Sequence, residues 1–225
     1  MNAGTSSVGP QNQDVLRSLL HIASQPLTTL HCVLETSFAQ DATAPTESAA
    51  VALEQTERVI EAVRLMREYL EADRGCGSKA AVSLNGAVEK ALENLSVLAE
   101  ARGVPFFLLA AGSATALVSE TWLVRSLQYL IADLLENEPT GGAVIIVLEK
   151  CASEAILSAH NLQRASAAWH QPSKSGLASK SGAATNPLRE VRAAIARRAL
   201  ESAGAFVEFW FEDRHGFSIR FPRSA

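Results

Sequence analysis

Residues 14–38 read DVLRSLLHIASQPLTTLHCVLETSF, and within them Leu16, Leu20, Ala23, Leu27, Leu30 and Leu34 recur alternately four and three apart. That alternation lays the apolar side chains along one stripe of a helix, with the period of a bundle seam. A polar turn follows at 39–47, with Asp41 and Pro45, and then Ala52, Thr56, Val59, Val63, Met66 and Leu70 repeat the same spacing. The repeat predicts a second helix antiparallel to the first. Two helices alone have little to bury a seam against, so the expectation is a homodimer in which two hairpins form a four-helix bundle. Packing of the stripe on the rest of the same chain is the other arrangement that periodicity allows.

Outward from the hairpin, residues 1–13 are rich in Ser, Gly, Asn and Gln and are expected to form a disordered tail, leaving 14–72 as the hairpin. The run EADRGCGSKAA at 71–81 breaks the period with two glycines and charge, which predicts a hinge at 73–81 and a second domain over 82–225. In that domain the patterns predict a helix over 84–102, a strand over 105–110 and a helix over 121–136. A turn at 139–142, strands over 143–149 and 155–160, a helix over 188–203 closed by Gly204, and a terminal hairpin of 206–211 with 217–221 complete it. Between them, residues 164–186 (RASAAWHQPSKSGLASKSGAATN) have the composition of a mobile loop. Helices packed on one face of a mixed sheet are the simplest outcome, an α+β chain.

Composition narrows the function classes. The chain has 225 residues, 48% of them hydrophobic, enough for a sizeable core, and a net charge of −4. Lys and Arg are scattered, so neither nucleic acid nor an anionic membrane is an expected partner. No stretch approaches the roughly 20 apolar residues of a membrane span, and the N-terminus lacks the features of a signal peptide, so the expectation is a soluble cytoplasmic protein. Cys32, Cys76 and Cys151 form no CxxC pair and read as reduced packing residues. No metal site is expected on the chain.

The segment His21-Ile22-Ala23-Ser24-Gln25-Pro26-Leu27-Thr28 resembles the H-box of sensor histidine kinases, in which a phosphoacceptor His precedes Pro-Leu-Thr on the first bundle helix. By that resemblance His21 is the phosphoacceptor. Its place one residue past Leu20 should leave the imidazole flanking the seam and reachable. Ile22 departs from the family, which usually has Glu or Asp there to help deprotonate the imidazole. Pro26 within the helix fits the kink that the family shows. His31 lacks the motif context and is the weaker candidate. Arg17, Ser24, Gln25 and Thr28 lie within about a turn of His21, where they are candidates for contacting a docked partner.

The second domain resembles the kinase ATPase module, a Bergerat-type α/β sandwich, from about residue 82 to 222. The stretch LQYLIADLLENEPTGG at 127–142 is similar to the family's N-box helix and the glycine turn after it. Likewise AIARRALESAG at 194–204, followed by a hairpin ending Phe221-Pro222, is similar to its closing helix and strands. The nucleotide-binding positions are degenerate. Asp133 stands where the N-box carries a Mg2+-binding Asn, and Glu136 adds negative charge where a basic residue is common. The adenine-recognising Asp-x-Gly-x-Gly is replaced by Ala159-His160-Asn161-Leu162-Gln163, with no Asp and no Gly. The last glycine-rich box is replaced by Glu190-Val191-Arg192-Ala193, where a Cβ and a carboxylate would oppose a triphosphate. Gly176 and Gly182 are present in the loop, but in a linker composition rather than opening a helix.

The resemblance implies two-component signalling. The leading reading is a histidine phosphotransferase that passes phosphate between the Asp of response-regulator receiver domains and His21 without using ATP. It needs no cofactor of its own, the receiver domain being expected to supply Mg2+. Two alternatives stand beside it: a catalytically inactive pseudo-histidine-kinase scaffold that binds a signalling partner, and a divergent ATP-dependent histidine kinase.

Overall fold

A computed structural model describes residues 10–39, 45–72, 79–137, 142–162, 187–210 and 215–222. The expected turns at 139–141 and 213–214, the loop at 164–186, hinge residues 73–78 and tail residues 1–9 lie outside the described residues. Helix α1 spans Pro10–Ala39 and α2 spans Pro45–Glu71. Both open on proline, which at a helix start loses no hydrogen bond and already has a helical φ. That is why α1 reaches back to Pro10, into part of what the composition reads as a disordered tail; Gln11, Asn12 and Gln13 contain no helix breaker. The remaining elements are β1 (Ala80–Ser83), α3 (Leu84–Arg102), β2 (Phe106–Ala110), β3 (Thr115–Val118), α4 (Glu120–Asn137), β4 (Ala143–Lys150), β5 (Glu154–Leu162), α5 (Pro187–Ser202), β6 (Phe206–Trp210) and β7 (Gly216–Pro222).

The chain divides into two compact units, the first holding α1, α2 and residues 187–194 of α5, the second holding the rest. In the first unit, the buried positions include Leu19, Ile22 and Pro26 of α1 and Ala62, Leu65 and Tyr69 of α2. On both helices this set precedes the stripe expected from periodicity by one residue: 19, 22 and 26 against 20, 23 and 27, and 62, 65 and 69 against 63, 66 and 70. The expected stripe instead remains exposed in part, through Leu20, Leu27 and Leu34 on α1 and Val63 and Leu70 on α2, with Ile60 beside them. Each helix therefore carries two apolar stripes, one buried within the unit and one facing outward. The second is the more conspicuous in sequence because it is built from Leu and Val, while Pro26, Ala62 and Tyr69 contribute to the first.

The second unit is an α/β assembly. Its five-stranded sheet has the order β2-β4-β5-β7-β6, with β2 parallel to β4 and the other pairs antiparallel. Alternate residues along most of β4 and β5 are buried, as expected when one sheet face lies against helices. Leu84 and Val88 of α3, Leu123, Leu127, Ile131 and Leu134 of α4, and Leu200 of α5 share one core with Ile146, Leu157, Phe217 and Ile219 of the sheet.

Two strands escape the sequence reading. β1 and β3 form a separate antiparallel pair, with Ala80 opposite Val118 and Ser83 opposite Thr115. Ala80 and Ala81, assigned to the hinge, are thus strand residues. β5 also runs through Leu162, two residues past the expected strand, so Asn161 of the segment matched above to the adenine box is paired as well: Asn161 lies opposite Val144 and His160 opposite Gly216. Pairing on both sides provides the backbone partners that hold this segment extended.

Candidate phosphoacceptor groove

Consecutive helical residues point about 100° apart, so the burial of Ile22 inside the hairpin unit turns His21 outward. His21 is exposed. The side chain at position 22 is an apolar one packed within the hairpin unit, so the residue next to His21 in sequence offers it no carboxylate. His21 stands at the wall of a groove of about 1050 Å3 within the first unit. From α1 the groove is lined by His21, Gln25 and Thr28, from α2 by Glu57, Arg58 and Glu61, and from α5 by Leu188.

The α2 wall is charged and largely self-paired. Arg58 donates to the Glu54 carboxylate at 2.6 Å. Glu61 takes Arg192 Nη2 on Oε1 at 3.2 Å and Arg64 Nη1 on Oε2 at 3.5 Å. Glu57 is exposed.

The candidate docking residues of α1 are brought to the same neighbourhood, with different freedoms. The Ser24 hydroxyl donates to the Leu20 carbonyl at 2.7 Å, and that of Thr28 to the Ser24 carbonyl at 2.9 Å. Each hydroxyl is then an acceptor toward anything outside the helix. Gln25 is exposed beside them. Arg17 pairs loosely with Asp14 at 3.9 Å, both side chains being open to water, an arrangement of little energetic weight. His31 is not among the residues that line this groove, and it pairs with Glu35 at 3.6 Å, one turn along its own helix.

The positions matched to the nucleotide site fall in two places. Asp133 and Glu136 lie on α4, Asp133 half-buried and Glu136 exposed, and the Glu136 carbonyl accepts from Arg102 at 3.1 Å. Asn161 is 4% exposed and donates from Nδ2 to the Leu134 carbonyl at 3.2 Å, so its amide braces β5 against α4. Glu190 and Arg192 belong to the unit of the hairpin. Among the described residues, no group of three or more His, Cys, Asp and Glu is placed to hold a metal ion, and no helix is long and apolar enough to cross a membrane. The contribution of Leu188 to the groove was invisible in sequence, since it is separated from His21 by most of the chain.

No family model matches the sequence, and no curated protein matches it. Solved structures do. The chain is similar to the histidine kinase AdeS of Acinetobacter baumannii, with a TM-score of 0.65 and 14% identity, covering 89% of this chain and 96% of that one. It is similar to the histidine kinase ThkA, solved in complex with the response regulator protein TrrA, with a TM-score of 0.61 and 14% identity over 94% of this chain and 61% of that one. A histidine kinase from Burkholderia phymatum STM815 gives a TM-score of 0.50 at 12% identity, over 92% and 98%. Identities this low show a shared fold: a helical hairpin followed by an ATPase-like domain, as in histidine kinases.

Proposed function

We propose that this chain, built on the fold of histidine kinases, acts in two-component signalling as a histidine phosphotransferase, exchanging phosphate between His21 and the Asp of a response-regulator receiver domain without ATP. The observation that carries this reading is the exposure of His21 on the wall of an open groove, in the Pro-Leu-Thr context of a phosphoacceptor. A ring nitrogen of neutral His21 attacks the phosphorus of the receiver's aspartyl phosphate. The N–P bond forms as the P–O bond breaks, and the electron pair leaves on the aspartate carboxylate. An acyl phosphate is an activated donor, so the transfer tolerates an interior Ile22 where kinases keep an acid. Mg2+ and most of the charge stabilisation come with the receiver domain. The partner is a receiver domain, and the hairpin works as a homodimer.

Several observations speak against a triphosphate as the donor. Asn161 is committed to the Leu134 carbonyl, Arg192 to Glu61, and Glu136 presents a carboxylate on the N-box helix. The scaffold reading is favoured by one feature, the apolar Ile22 beside the histidine.

The test is to incubate the protein with receiver domains charged by acetyl phosphate in Mg2+. Label is expected on the wild-type chain and absent, by at least about a hundredfold, from His21→Gln, since removing the nucleophile removes the step. No label from any receiver leaves the scaffold. Label arising from Mg-ATP alone, and lost in Asp133→Ala, indicates a working kinase instead.

A further inference from the structure

We propose that the first two turns of α5 form part of the receiver-binding surface, with Leu188 as a contact and the Arg192–Glu61 pair as the clamp that holds it there; this rests on the phosphotransfer reading above. Leu188 and Arg192 are four residues apart, hence on one face of α5. Arg192 reaches α2 through Glu61 at 3.2 Å, and each of these side chains is only 28% exposed. A pair so shielded holds its geometry better than open surface pairs such as Arg17–Asp14, and Arg64 on the other Glu61 oxygen, at 3.5 Å, keeps that carboxylate in place. Anchoring Arg192 to α2 therefore aims the same helix face, with Leu188, into the groove that His21 lines. Residues 187–194 cluster with the hairpin rather than with the α/β unit, as such an anchor requires.

The groove also states what it would accept. Leu188 supplies apolar surface, and the groove also touches the edges of the buried Ile22 and Pro26. Of the carboxylates, Glu54 is taken by Arg58 and Glu61 by Arg192, whereas Glu57 is exposed on the same wall. A complementary receiver presents an apolar side chain to Leu188 with a Lys or Arg opposite Glu57. Charge steering of this kind acts on encounter, and the apolar contact on retention.

The experiment uses the full chain and whichever receiver domain, charged with acetyl phosphate, labels the wild type fastest in a panel from the same genome. Leu188→Ala should raise the receiver concentration for half-maximal transfer about tenfold, with the saturated rate unchanged, as expected when the burial of one leucine against a partner is lost. Arg192→Ala should do the same, and Leu188→Ala placed in the Arg192→Ala chain should add little, because the contact has already been released. Glu57→Lys should weaken the receiver further and lessen the salt dependence of transfer. Phosphoramidate, a small donor that needs no docking, should label His21 equally in all variants, which separates lost docking from lost folding. Val97→Ala, on α3 and 76% exposed, is the neutral control. Unchanged half-saturation in Leu188→Ala, or full additivity with Arg192→Ala, overturns the clamp while leaving phosphotransfer intact; a wild type that no receiver labels overturns both.

Discussion

Gly216 occupies a position that no side chain can share. It begins β7 opposite Trp210 of β6, and a Cβ built on it would come within 2.5 Å of the indole ring and 2.7 Å of the Ala159 carbonyl oxygen. The ring can shift, but the carbonyl belongs to the paired strand β5 and cannot move without distorting its ladder. Gly216→Ala should therefore destabilise the protein by about 1–3 kcal/mol, the range for forcing atoms into a packed site. A lower urea midpoint with an unchanged slope is the expected signature; an unchanged midpoint would mean that the two strands separate freely to make room. His21 is a candidate in the sequence because Pro26, Leu27 and Thr28 after it carry a motif, and Ile22 is a departure from it. That Ile22 is an interior residue was not legible, since only the fold reveals that positions 19, 22 and 26 are the ones turned inward.

At the level of single elements, α3 shows how a helix is bounded by its own sequence. Ser83, the last residue of β1, is also the N-cap of α3: its hydroxyl accepts from the Gly86 N–H at 3.3 Å. At the other end Gly103 takes φ +64, and its N–H returns to the Glu100 carbonyl at 3.0 Å, closing the last turn. Ser83→Ala should cost about 1 kcal/mol, the usual worth of a cap, read as a fall in thermal midpoint of a few degrees. Ser83→Asp should keep most of that stability, since aspartate also caps; equal losses in both variants would assign the effect to β1 pairing rather than to the cap. The long helices were legible because ten or more residues repeat one period and end at recognisable stops. β1 and β3 were not. Each has only four residues, AAVS and TALV, and alanine has little preference for strands, so their pairing depends on contacts from Leu84 and Ala116 with the core that no local pattern encodes. The order β2-β4-β5-β7-β6 is likewise a product of distant pairings, beyond what composition or period specifies.

For the molecule as a whole, the decisive feature is the apolar stripe that the hairpin leaves uncovered. Leu20 and Ile60 are each 62% exposed, and Leu27, Leu34, Val63 and Leu70 are exposed with them. Leu20, Leu27 and Leu34 recur every seven residues, as do Val63 and Leu70, the spacing by which helices pair along their length. The cover proposed above is a second copy of the same hairpin, since a two-fold partner would bring the same spacing to the same face. Each such side chain contributes about 1.5–3 kcal/mol when fully buried. Replacing two of them with charged groups should therefore remove much of the roughly 8 kcal/mol that corresponds to micromolar association. Ile60→Glu combined with Val63→Glu should halve the mass measured by light scattering at micromolar protein. Far-UV circular dichroism should stay unchanged, because neither position belongs to the buried set of its own chain. The wild type should also unfold at a temperature that rises with protein concentration, as mass action requires of a dimer, while the double variant should not. A wild type that scatters as a monomer and melts independently of concentration would assign the stripe to some other cover and remove the paired-hairpin setting in which His21 is proposed to act.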